Sequence, residues 1–322
     1  MHTILITTSS FGAQDAEPKR LLRASGLAVQ ENPFQRTLTE PEVVALLRAH
    51  RPVGVIAGVE PLTSAVLEAA AGHLKVISRC GAGLDNVDLR KAAELGIAVH
   101  HTPEAPSQAV AELALGCMMN LIRELPQADR RLRAGIWSKP MGFLLGELVV
   151  GIVGLGRIGK RVAALVRAFG AEVIATDPVW DAAWAREHEV AQAALPELLP
   201  QADLVTLHAS PPLSEAAPLI GRAELARMKR GAYLINVSRG GLVDECALHE
   251  ALRSGHLKGA ALDTFAREPY DGPLRELENT LLTPHLGSYA RAARTRMERE
   301  AAQNLLRGLA ERGWPHAESA RR

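Results

Sequence analysis

The chain has 322 residues, 47% of them hydrophobic, enough for about two domains with full-sized cores and no call on a metal or disulfides. Lys and Arg number 37 against 36 Asp and Glu, a net charge of +1, and aromatic residues make up only 4%, which excludes the basic footprint and stacking platforms of a nucleic-acid binder. No apolar run approaches the ~18 residues of a membrane span, and the widely spaced Cys80, Cys117 and Cys246 read as reduced thiols, so a soluble cytoplasmic protein is expected.

Short apolar strands alternate with helical patterns almost throughout, the mark of βαβ units and parallel sheets. Residues 1–6 lack a basic leader and read as a first strand rather than a signal peptide. Strands are predicted near 3–8, 27–30, 53–57, 75–78 and 97–100, with helices near 15–25, 39–49, 63–71 and 88–95, the last closed by Gly96. A long helix over 107–125 follows, then a shorter one over 130–137. A second series begins at 148 and continues through strands near 171–176, 203–207, 232–236, 258–262 and 280–282. A charged helix over 288–309 comes last, and the tail from 312 is expected to fray.

The second series opens on an apolar strand feeding Gly154-Leu155-Gly156-Arg157-Ile158-Gly159 and then a helical pattern. In G-x-G-x-x-G the first glycine makes the tight turn, the second lets the backbone approach a pyrophosphate, and the third lets helix and strand pack closely. The free N–H groups of the helix end form an anion site. Asp177, at the end of the next strand and 23 residues after Gly154, is placed to accept bonds from an adenosine ribose and to repel a 2′-phosphate. That favours NAD over NADP; the competing reading is a strand-end turn before Pro178.

Three later segments carry chemistry. Arg239 projects from the carboxyl edge after the strand ending at Asn236, where a guanidinium can grip a carboxylate with two hydrogen bonds. Glu268 and His285 lie 17 residues apart, each following a strand, and so reach the same sheet edge. A glutamate beside an imidazole favours its protonated form, giving a histidine able to exchange a proton near neutrality. Singly, Arg239 is equally well a surface arginine and His285 a packing histidine; together with Glu268 and a nucleotide fold, the balance reverses.

These segments, with residues 260–269 and 283–287, resemble in order and spacing four signatures of the D-isomer-specific 2-hydroxyacid dehydrogenases. The stretch Arg79-Cys80-Gly81-Ala82-Gly83-Leu84-Asp85-Asn86 is most similar to the phosphoglycerate dehydrogenase branch. The resemblance implies an α/β fold of two doubly wound parallel-sheet domains. A Rossmann-type NAD domain (residues 101–286) would be inserted in a flavodoxin-like substrate domain (residues 1–100 plus 287–322), hinged by two crossing helices around a cleft. It implies His285 as acid/base, Glu268 as its partner and Arg239 as anchor of the substrate carboxylate and carbonyl. Gly81, Ala82 and Gly83 would offer backbone N–H groups to that carboxylate, and Arg79 would hold the substrate's far end. Gly154, Gly156, Arg157, Ile158 and Gly159 would meet the pyrophosphate. His208, Ala209, Val237, Ser238 and Gly287 would line the nicotinamide half, and Asp263 would take its carboxamide. A homodimer, formed through the hinge helices and the neighbouring loop, is also implied; the apolar stretch 110–122 fits that or burial within one chain.

Four departures stand out. The loop at 56–63 has no arginine for a substrate phosphate and carries Glu60 instead. The segment 208–214 is one residue longer than usual and lacks its threonines, and Ala105-Pro106-Ser107 replaces an asparagine-containing entry to the long helix. The chain stops soon after its last helix, so an appended regulatory domain is not expected. Cys80, inside the expected carboxylate turn, reads as a small filler. Two rival functions stay open: an NAD-sensing corepressor-like protein, and oxidation of a small anion such as phosphite or formate.

Overall fold

Runs of Val, Ile, Leu and Ala without polar alternation become strands covered on both faces, and two parallel sheets result. The computed structural model describes residues 2–210 and 217–314, and the chain divides into two units, Met1–Pro106 with Ser288–Arg322, and Ser107–Gly287.

The first unit alternates β1 (Thr3–Ile6), α1 (Glu17–Ala24), β2 (Ala28–Glu31), α2 (Glu40–His50), β3 (Gly54–Ala57), α3 (Ser64–Ala69), β4 (Val76–Arg79), α4 (Leu89–Glu94) and β5 (Ala98–His101). Its sheet runs β2-β1-β3-β4-β5, all parallel.

The second unit holds α5 (Ser107–Ile122), α6 (Leu125–Arg133), β6 (Val149–Val153), α7 (Arg157–Ala168), β7 (Glu172–Thr176), α8 (Ala182–Glu187), β8 (Val190–Gln192), α9 (Leu195–Leu198), β9 (Leu204–Leu207), α10 (Arg222–Arg227), β10 (Tyr233–Asn236), α11 (Glu245–Arg253), β11 (Gly259–Leu262) and β12 (Thr280–Leu282). These strands form a parallel sheet in the order β12-β11-β10-β9-β6-β7-β8. The strand order reverses at β6 and β9, and doubly wound sheets bind ligands beyond the carboxyl ends at such a switch point. Helix α12 (Arg291–Ala310) returns to the first unit, where Met297, Ala301, Leu305 and Leu306 complete the core over Ile4, Ile6, Ile56 and Val76.

Helix α5 is apolar because it is buried: Ala114, Cys117, Met118 and Leu121 pack with Val150, Ile152 and Ala261 inside the second unit. The helices expected over 107–125 and 130–137 break elsewhere, with α5 ending at Ile122 and α6 running over Leu125–Arg133. Pro126 is the cause. It lacks an N–H and cannot continue α5, but its fixed φ suits the first turn of a new helix, while Gly135 at φ 78 closes that helix early. The longer segment's residues 211–214 and the tail beyond 314 lie outside the described residues.

Candidate active site

The carboxyl ends of six strands of the second unit, β6, β7 and β9 to β12, carry the candidate site residues. After β6, Gly154 takes φ 96, and a Cβ there would stand 2.6 Å from the backbone of His208 and Ala209. The glycine thus serves both the turn and the close passage of the chain leaving β9. A Cβ on Gly159 would lie 2.0 Å from the Gly154 carbonyl, whereas one on Gly156 would meet nothing within 4 Å, leaving an open face at the start of α7. Arg157 and Ile158 begin that helix. Asp177, just past β7, accepts the Leu155 N–H at 2.6 Å and the Val179 N–H at 2.7 Å, so its carboxylate also ties the glycine turn to β7.

Beyond β10, the buried Asn236 shapes the next turn. Its amide donates to the Arg239 carbonyl at 2.8 Å, and its oxygen accepts from the Ser238 N–H and hydroxyl, each at 3.1 Å. Val237 is buried, and Ser238 and Arg239 are half-buried, with Arg239 Nη1 donating to the Ser238 carbonyl at 2.7 Å. Gly240 follows because no side chain fits: a Cβ would fall 1.8 Å from the Phe265 carbonyl carbon. That close packing lays the Arg239 turn against the loop bearing Glu268. Neither Asn236 nor Gly240 announces this role in the sequence, because both act on neighbouring backbone rather than on a reacting group.

His285 follows β12 in the left-handed region, φ 56, an uncommon conformation for a residue with a side chain. Its N–H donates to the carbonyls of Asp263 (2.9 Å) and Thr283 (3.0 Å). Its ring Nδ1 faces both Glu268 oxygens, at 2.9 and 3.2 Å, while Nε2 bonds to no described residue. Burial works to raise the Glu268 carboxyl. The His285 ring, the Phe265 N–H and the Arg239 guanidinium oppose it and hold the group below its ordinary value. Arg239, Glu268 and His285 therefore act on one another at one edge of one sheet.

Asp263 also has a structural duty. It is fully buried, and its carboxylate accepts the Thr283 hydroxyl (2.6 Å), the Leu286 N–H (2.7 Å) and the Gly287 N–H (2.8 Å). Burial raises its pKa, although these bonds counter the rise. The carboxylate thereby ties β11 to the loop that presents His285, and Gly287 takes part through its N–H. His208 is likewise buried enough that burial pulls its pKa down to about 3; Nε2 pairs with the Thr206 hydroxyl at 2.9 Å, and Nδ1 finds no partner among the described residues. It is an uncharged ring at neutral pH.

In the first unit, Arg79 is nine-tenths buried and its Nη1 donates to the Cys80 carbonyl at 2.9 Å. Gly81, at φ 150, leaves room for it, since a Cβ would overlap Nη1 at 1.2 Å. The Gly81 N–H donates to the Thr102 hydroxyl at 2.9 Å and to the Arg79 carbonyl at 3.1 Å. His101 Nδ1 meets the Ala82 carbonyl at 2.7 Å, bracing the same turn. Burial drives the Cys80 thiol up to about 12, an inert filler. Among the described residues no helix is long and apolar enough to cross a membrane, and no three His, Cys, Asp or Glu side chains gather as metal ligands.

A parallel sheet with G-x-G-x-x-G at its switch point and an Arg–Glu–His set on its carboxyl edge is the arrangement of a Rossmann-type dinucleotide-binding domain. Residues 115–287 match the model of the D-isomer specific 2-hydroxyacid dehydrogenase NAD binding domain, and the chain belongs to that family, with an NAD-binding second unit. It is 42% identical to a D-3-phosphoglycerate dehydrogenase of Mycobacterium leprae over 245 residues, covering 75% of this chain and 46% of that protein. It is 38% identical to that of Rattus norvegicus over 291 residues, 89% of this chain and 54% of that protein. The chain thus spans about half the length of these curated relatives. Among solved structures, a Thermus thermophilus protein matches at 37% identity and TM-score 0.84 over 96% of this chain and 97% of its own. A glyoxylate reductase from Paecilomyes thermophila matches at 27% and 0.86, over 97% and 96%.

Proposed function

We propose that this protein interconverts a D-2-hydroxy acid and its 2-oxo acid, with NAD carrying the hydride. The pair formed by His285 Nδ1 and the Glu268 carboxylate, at 2.9 Å, carries the reading. A carboxylate on Nδ1 keeps the proton there and turns Nε2 toward substrate. In oxidation, Nε2 accepts the proton of the substrate hydroxyl while Glu268 stabilises the imidazolium; in reduction, the same proton returns to the oxygen. Bound NAD supplies the acceptor for the hydride that leaves the alpha carbon, so one C–H and one O–H bond break as the carbonyl forms. Arg239 grips the substrate carboxylate and polarises the carbonyl oxygen.

The second unit acts as the NAD-binding domain: Asp177 receives the adenosine ribose, and the open face at Gly156 receives the pyrophosphate. The first unit acts as the substrate domain, through Arg79 and the N–H groups of Ala82 and Gly83. The chain works as a homodimer, for which the second unit offers apolar side chains exposed after α6, including Ile136, Trp137 (80% exposed), Met141 (87%) and Leu144. Three free cysteines suit a reducing cytoplasm.

Incubation with NADH and a panel of 2-oxo acids, from glyoxylate to bulkier members, tests the activity. Steady NADH consumption with at least one of them is expected; binding of NADH without turnover of any would reject the enzyme reading.

A further inference from the structure

Helix α11 and the loop that carries Glu268 are joined by a carboxylate that takes no part in the chemistry. The segment leaving the Arg239 turn is firmly held, with Leu242 and Val243 buried in one core cluster with Ala247, Leu248 and Phe265. The Asp244 N–H donates to the Ile220 carbonyl at 3.0 Å, and the Asp244 side chain caps α11 by accepting the Ala247 N–H at 3.0 Å. Glu245, the first residue of that helix, therefore stands on fixed backbone, half-buried. Its Oε1 accepts the Ala266 N–H at 2.7 Å. The N–H one residue earlier, that of Phe265, donates to Glu268 Oε1 at 3.2 Å. Two consecutive amides of one loop thus go to two glutamates, and the second glutamate is the partner of His285.

The Phe265 carbonyl and the Ala266 N–H belong to one planar peptide unit. Gly240 closes on that unit from one side, where a Cβ would stand 1.8 Å from the carbonyl carbon and 2.2 Å from the Ala266 nitrogen, and Glu245 holds it by its N–H. The Phe265 ring, buried and stacked on Tyr270 with centroids 4.2 Å apart, fixes the side-chain end of the same residue. Turning the peptide plane changes the Phe265 dihedrals that aim its N–H at Glu268. A charged acceptor makes a hydrogen bond roughly twice as strong as a neutral one, which suits a half-exposed site where water competes. We propose that Glu245 is a positioning residue: through the Ala266 N–H it fixes the loop under Glu268 and so keeps that carboxylate on His285 Nδ1. This deepens the dehydrogenase reading and rests on it. The competing role is a first-turn glutamate that only complements the positive end of α11.

Two variants separate the roles, because Glu245→Ala removes acceptor and charge while Glu245→Gln removes the charge alone. With a 2-oxo acid that the wild type reduces, Glu245→Ala should lower kcat about 10-fold, the scale of one lost hydrogen bond to a charged group. KM, governed by Arg239 on the turn that Asn236 holds, and NADH affinity should stay within about threefold. Glu245→Gln should keep kcat within about threefold of wild type, since its amide oxygen still accepts from Ala266. In a Glu268→Ala background the change Glu245→Ala should cost less than about twofold, because no carboxylate is left to aim. With isotope-labelled histidine, the ring N–H resonance that His285→Ala removes should move in Glu245→Ala and hold its place in Glu245→Gln. An equal fall in the two variants, or undiminished kcat in a folded Glu245→Ala protein, overturns the inference and leaves the dehydrogenase reading intact. The same loss with and without Glu268 does so too. A wild type that reduces no 2-oxo acid overturns both.

Discussion

Asp263→Asn separates two duties for a single carboxylate. The change keeps size and leaves one acceptor oxygen, but it sets an amide N–H₂ against at least one of the loop donors, the Leu286 or Gly287 N–H. Leaving a buried donor unmet costs about 1–3 kcal/mol. His285 sits at φ 56 in that loop, a conformation that costs about 1–2 kcal/mol and persists because the bonds to Asp263 hold it. Relaxation of the loop would draw Nδ1 away from Glu268, and at 1.4 kcal/mol per tenfold a loss of 1–3 kcal/mol lowers kcat by about 5- to 150-fold. NADH affinity, read by fluorescence titration, should stay within about threefold. A kcat at saturating cofactor equal to wild type, with NADH bound tenfold or more weakly, would refute the reasoning and return Asp263 to the cofactor amide.

Other outcomes follow from the same geometry. His285→Ala should bind NADH as wild type does and lose about 100- to 10,000-fold in kcat; undiminished turnover removes His285 from the chemistry. Asp177→Asn should narrow the preference for NADH over NADPH by about tenfold or more, because the charge facing a 2′-phosphate is gone, and an unchanged ratio of the two kcat/KM values places discrimination elsewhere. His208, at about 3 in the folded protein against ~6.5 when unfolded, binds more protons after unfolding at mildly acid pH. Its contribution is therefore complete above ~6.5 and is lost as pH falls toward 3, by at most about 3 kcal/mol at pH 4. In urea titrations the wild type should weaken over that window and His208→Asn should weaken less; parallel curves would mean that the ring is charged in the fold.

Much of this was legible because the strands are short, apolar and followed at once by their functional residues. The glycine turn, Arg239, Glu268 and His285 all sit within a few residues of a strand end, so alternation alone brought them to one edge. Backbone accounting was not legible. Whether a Gly81 N–H faces a ligand or the Thr102 hydroxyl depends on a partner 21 residues away. Asp263 reads as an available carboxylate until three donors from residues 283–287 are found on it. The break at Pro126 was readable from its missing N–H, but helical spacing on either side concealed it. Glu60 was visible as an acid in an unexpected loop; its burial and its bond to Thr7 came only from the fold.

The first unit is built from two stretches of chain separated by the whole of the second. During synthesis Ile4, Ile6 and Val76 emerge long before Met297, Leu305 and Leu306, which cover them. At ribosomal speed the intervening residues 107–287 take roughly 10–40 s to appear, so the contiguous unit can fold while the earlier one waits with an apolar face uncovered. Truncation between Gly287 and α12 should therefore yield a folded nucleotide domain attached to a sticky, aggregation-prone N-terminal half, and nascent chains of that length are natural clients for a chaperone.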